Sequence, residues 1–100
     1  MSDIKAIFKY SSEFGRRYSS GFRPAVLIKE DYLTTCLLTF SNNINSNEEF
    51  EVEGVFISPE YYPHSLWVGK VLDIYEGAKI IGHITVTEIL NPILCKMRYF

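Results

Sequence analysis

The side chains able to make or break bonds are few and scattered. Cys36, Cys95, His64 and His83 are the soft or nucleophilic groups. Zinc sites draw ligands in close pairs such as Cys-x-x-Cys or His-x-x-x-His, and no such pair occurs. Nucleophilic catalysis needs a nucleophile, a base and an orienting group together, and no signature for that surrounds either cysteine. Glu48, Glu49, Glu51 and Glu53 offer neighbouring carboxylates. Alternation with Phe50 and Val52 instead makes Glu49, Glu51 and Glu53 the solvent face of an edge strand, where like charges discourage edge-to-edge pairing. Gly69-Lys70 lacks the upstream glycine and the following hydroxyl residue of a phosphate loop. The chain therefore reads as non-enzymatic, with no metal, cofactor or nucleotide.

Two groups of residues suit binding better. Arg16, Arg17 and Arg23 are interleaved with Tyr18 and Phe22. Arginine can fork onto phosphate or carboxylate, and aromatic rings can stack on bases. Tyr61, Tyr62, His64 and Trp67 fall in or beside the proline-bounded stretch Pro59–Ser65. Tyr and Trp are frequent interface anchors, yet two of these four could equally fold back as a plug for a barrel end.

These candidates need elements to hold them. One hundred residues fit one domain, here residues 1–100 with an irregular tail over 91–100. The composition, 47% hydrophobic and 15% aromatic with 22% charged, is that of a folded domain rather than a disordered chain. Seven Tyr and seven Phe, with many Ile, Val and Thr, favour strands. A net charge of −2 disfavours DNA or any extended phosphate-tracking surface. Two isolated cysteines read as thiols of a reducing compartment, Cys36 in the core and Cys95 half exposed. No apolar run approaches the length of a membrane span and no secretory signal is visible, so the expected location is the cytoplasm.

Period-two alternation marks the strands. Ile4, Ala6, Phe8 and Tyr10 share one face of the first, opposite Lys5 and Lys9. Ala25–Ile28 and Tyr32–Phe40 are joined by a hairpin turn over Lys29–Asp31. Glu49–Glu53 continues through Val55–Ile57, with Gly54 as a bulge. Leu66–Tyr75 and Lys79–Thr87 flank the tight turn Glu76-Gly77-Ala78. Ser11–Gly21, Ser41–Asn47 and Pro59–Ser65 are loops. The expected fold is all-β: a small closed or partly closed antiparallel barrel of about six strands.

Two segments carry a family resemblance. Gly15-Arg16 and Gly21-Phe22-Arg23-Pro24 are similar to a glycine-arginine loop and Gly-Tyr-Arg-Pro motif in the third, C-terminal β-barrel domain of elongation factor Tu. Tyr75–Val86, with Gly77 and Gly82, resembles the closing hairpin of that domain. The likeness runs from Ile4 to Leu90. It implies that barrel fold, with Gly15, Gly21, Arg23, Pro24, Gly77 and Gly82 as structural positions. Arg17 stands where the family has a histidine and Ala25 where it has a polar residue, both in the neighbourhood that meets transfer RNA. With no phosphate loop in the chain, GTP hydrolysis is not implied.

The expected function is a non-catalytic interaction domain with a protein partner, in or near the translation machinery. An alternative is a small inhibitor, such as an immunity protein neutralising a toxin. Another is an RNA-binding module using the Arg16/Arg17 loop.

Overall fold

The computed structural model describes residues 2–10, 20–40 and 49–96. These form six strands: β1 (Ile4–Tyr10), β2 (Ala25–Lys29), β3 (Tyr32–Thr39), β4 (Phe50–Phe56), β5 (Val71–Glu76) and β6 (Lys79–Ile89). All pairings are antiparallel, and the order β1-β4-β3-β2-β5-β6 closes on itself through β6 and β1. Among the described residues, two single-turn 3₁₀ segments lie outside the strands, Pro59–Tyr61 between β4 and β5 and Pro92–Leu94 after β6. The all-β six-strand barrel expected from the sequence is the observed fold. Among the described residues, no helix is long and apolar enough to cross a membrane.

Alternation decides which side chains fill the barrel, because successive strand residues point to opposite faces. Ile4, Ala6 and Phe8 of β1, Val26 and Ile28 of β2, and Cys36 and Leu38 of β3 point inward. Val52 and Phe56 of β4, Leu72 and Ile74 of β5, and Ile81, Ile84 and Val86 of β6 complete the core. Register shifts at Lys5/Ala6, Leu27/Lys29 and Ile74/Tyr75 mark the irregularities in the ladders, and such bulges sharpen local twist.

Both turn expectations hold. Asp31 takes φ 60° between β2 and β3, a left-handed conformation that Asp tolerates. Gly77 takes φ 62° between β5 and β6, where a two-residue hairpin needs such a residue.

Four features differ from the sequence expectation. The strand read over Leu66–Tyr75 begins only at Val71, because Gly69 turns the chain with φ 96° and Leu66 joins an isolated bridge to Cys95. Its partner runs on to Ile89. Gly54 is no bulge: it pairs in register with Ile4 and Leu38, and the space a side chain would need is taken by its neighbours. The acidic strand is not an edge either. Glu49, Glu51 and Glu53 do face solvent, but β4 is hydrogen-bonded to β1 on one side and β3 on the other.

The two ends of the barrel are closed differently. At one, Phe8 stacks on Phe22 with centroids 5.9 Å apart, and Phe50 packs 5.3 Å from Phe8 and 5.1 Å from Phe40. Phe22 and Phe40 complete this ring of phenylalanines edge-on at 6.4 Å. At the other end, Tyr62, Leu66 and Leu94 are buried beneath the long connection from β4 to β5 and the segment after β6.

Candidate functional site

The connection Ile57–Lys70 is anchored along its length. Tyr61 N–H donates to the Ser58 carbonyl and Tyr62 N–H to the Pro59 carbonyl, both at 3.1 Å, closing the first 3₁₀ turn. Ser65 Oγ donates to the Tyr62 carbonyl at 2.7 Å. Leu66 then pairs with the chain after β6: its N–H donates to the Leu94 carbonyl at 2.8 Å, and its carbonyl accepts from Lys96 N–H at 2.7 Å. Gly69 N–H and Lys70 O both bond Val86 of β6. The loop is thereby laid on the barrel end as a fixed cap.

Tyr62 is the pin of that cap. It is 1% exposed, packs against Phe56 and Tyr32, and its hydroxyl donates to the Ile57 carbonyl. Tyr has a single hydroxyl proton, so the Thr34 hydroxyl 3.0 Å away must be donating to it. Burial raises the Tyr62 pKa. Tyr62, counted among the binding candidates, is therefore a core residue: its large ring fills the barrel end and its polar tip is satisfied inside. Its neighbour Tyr61 is turned outward and 70% exposed. Trp67 is 44% exposed, and Val68 and Val71 are exposed beside it in sequence.

His64 is exposed, and its backbone takes the left-handed φ of 59°. Its Nδ1 lies 2.9 Å from the Cys95 carbonyl, an acceptor, so Nδ1 carries the proton and donates. The histidine thus meets Cys95 through the backbone, as a tether for the chain after β6. The other thiol, Cys36, is buried, and burial with the Asp3 charge pushes its pKa up to about 12. A thiol held protonated in this way is a packing group rather than a nucleophile. Among the described residues, no three His, Cys, Asp or Glu side chains gather as a metal site would need.

Two lysines over the Trp67 ring, and a third on neighbouring β2, form a group that no sequence motif marks. Lys70 Nζ lies 4.5 Å from the centroid of the Trp67 ring and Lys96 Nζ lies 5.1 Å from it. Lys70 Nζ also donates to the Ile28 carbonyl at 2.9 Å and the Ser65 carbonyl at 2.7 Å, joining β2 to the cap. Burial, then the charges of Lys29 and Lys96, lower the Lys70 pKa. Lys29 in turn lies 5.6 Å from the Tyr32 centroid. The one sequence signal was the three-residue step from Trp67 to Lys70; nothing local ties either to Lys29 or Lys96.

The remaining candidates are placed apart from this cap. Arg23 is exposed at the phenylalanine end, beside the buried Pro24 and lining a shallow groove with Tyr75 and Glu76. Gly21 takes φ 94° and its N–H donates to the Leu38 carbonyl, a backbone-setting role. Gly77 makes the hairpin turn, and Gly82 lies within β6 opposite Ile74 and Tyr10. Gly15, Arg16, Arg17 and Tyr18 lie outside the described residues.

No protein-family model matches the chain, and no curated protein matches it.

Proposed function

We propose that this chain is a non-catalytic interaction domain that binds a protein partner through the capped end of its barrel, with Tyr61 and Trp67 as anchors. The observation that carries this reading is the pairing of Tyr62 with Tyr61. One ring locks the cap into the core while the next is held in solvent at 70% exposure. Large aromatic side chains on a fixed backbone lose little entropy on binding, which is why they dominate interface energetics.

The non-catalytic reading is supported by how two reactive groups are held: His64 of the cap is engaged by a carbonyl, and the Cys36 thiol is protonated in the core. The resemblance of Gly21–Pro24 and Glu76–Gly82 to the third domain of elongation factor Tu favours a partner belonging to the translation machinery.

The test is affinity capture from source-cell lysate followed by mass spectrometry, comparing the native chain with a Tyr61→Ser/Trp67→Ala variant. A protein retained by the native chain and lost from the variant is the expected result. Equal retention by both, or no specific protein at all, would sink the assignment.

A further inference from the structure

We propose that Lys70 and Lys96 over the Trp67 ring, with Lys29 next to the Ile28 carbonyl that Lys70 holds, form a receptor for an acidic peptide segment of the partner. This rests on the capped end being the binding surface, and adds the chemistry of what it binds.

The cluster sets three lysine side chains near one another. Lys70 and Lys96 share the Trp67 ring, and Lys29 directly follows Ile28, whose carbonyl accepts from Lys70 Nζ at 2.9 Å. Among the described residues, no carboxylate comes within ion-pair distance of any of the three; the Lys5–Glu88 pair at 4.0 Å lies elsewhere. Lys70 cannot swing away from its neighbours, since two of its three N–H groups are committed to the Ile28 and Ser65 carbonyls. Bringing like charges together costs free energy that the two carbonyls and the Trp67 ring offset in part and a bound anion offsets further. Exposed Val68 and Val71 supply apolar contact area adjoining the charges in sequence.

The choice of a peptide over RNA follows from the surroundings. A bound RNA strand would extend a continuous row of phosphates across a chain of net charge −2. Glu30 and Asp31 follow Lys29 directly, Glu51 and Glu53 line the outer face of β4, and exposed Glu49 precedes that strand. Base stacking, the usual complement to phosphate contact, would also compete with the two ammonium groups already over the Trp67 ring. A short carboxylate-bearing segment needs only the local patch.

Trp67 is the single tryptophan, so its fluorescence reports directly on the cluster. Hexaglutamate, a decamer of uridine and inorganic phosphate are titrated separately into the full chain. Hexaglutamate should shift the Trp67 emission saturably, and binding should weaken as salt is raised. Lys29→Gln/Lys96→Gln should weaken it about tenfold, while Lys9→Gln leaves it unchanged. Lys70 is left intact because it also holds the cap, and circular dichroism of each variant checks the fold. The proposal is overturned by an absent response or by one indifferent to the double substitution. Tighter binding of the uridine decamer, or an equal response to phosphate alone, overturns it as well. If hexaglutamate fails while Tyr61→Ser/Trp67→Ala still abolishes partner capture, the charge assignment falls and the capped-end reading stands. If both fail, both fall.

Discussion

A Cβ built on Gly54 would lie 2.9 Å from Cys36 Sγ, across the ladder that joins β4 to β3. The same atom would lie 3.2 Å from Ile4 Cγ1 on β1. Glycine is therefore required here by close packing of three strands.

Gly54→Ala should destabilise the barrel by about 1–3 kcal/mol through overpacking. Because Cys36 supplies the closest atom, Gly54→Ala should cost less in a Cys36→Ala background than in the native chain. Urea denaturation of the four members of this cycle measures the coupling; strict additivity would contradict the contact.

Tyr62→Phe should cost about 1–3 kcal/mol, since removing the hydroxyl deprives both Thr34 and the Ile57 carbonyl of their partner. Tyr61→Phe, on an exposed ring, should stay within about 0.5 kcal/mol of the native chain. Thermal melts of the two variants separate the buried tyrosine from the displayed one.

Asp3 ties the start of β1 to two other segments. Its Oδ2 accepts from Phe56 N–H at 2.7 Å and its Oδ1 from Asn91 Nδ2 at 2.9 Å, while its carbonyl accepts from Leu90 and Asn91 N–H. Asp3→Ala leaves the buried Phe56 amide without that acceptor and should cost about 1.5–3 kcal/mol. Hydrogen exchange of the Phe56 amide should rise more than that of Val26 in the opposite wall.

Cys36 should make stability fall at alkaline pH. Its pKa is about 12 folded against an ordinary value of 9.0, so the unfolded chain loses the proton first as pH rises. The folded state then holds more protons, and stability declines by up to about 1.4 kcal/mol per pH unit from roughly pH 9 towards the folded value. Below pH 9 the contribution is fully present. The slope of unfolding free energy against pH between 9 and 11 should be shallower in Cys36→Ala. A thiol reagent at pH 8 should label exposed Cys95 at once and Cys36 only on unfolding.

Strand positions and faces were legible in the sequence because alternation has a period of two and reports burial directly, as in Ile4, Ala6 and Phe8. The hairpin turns at Lys29–Asp31 and Glu76–Ala78 were legible because left-handed backbone demands particular residues, and Asp31 and Gly77 supply it. These local rules determine the all-β class and most strand boundaries.

Other features depend on contacts that no local pattern encodes. Tyr61 and Tyr62 are identical in type and adjacent in sequence; only the meeting of Thr34, Phe56 and Ile57 decides which ring is buried. Gly54 looked like a strand irregularity until Cys36 and Ile4 closed around it. Glu49–Glu53 read as an edge, and barrel closure through β1 and β3 removed the edge while leaving the acidic face. Lys29 and Lys70 stand 41 residues apart, and what brings them near each other is the Nζ of Lys70 reaching the Ile28 carbonyl. The sequence by itself determined which residues lie on strands and which way they face. The tertiary structure decided which distant side chains meet, because closing the barrel sets register and the cap selects what it covers.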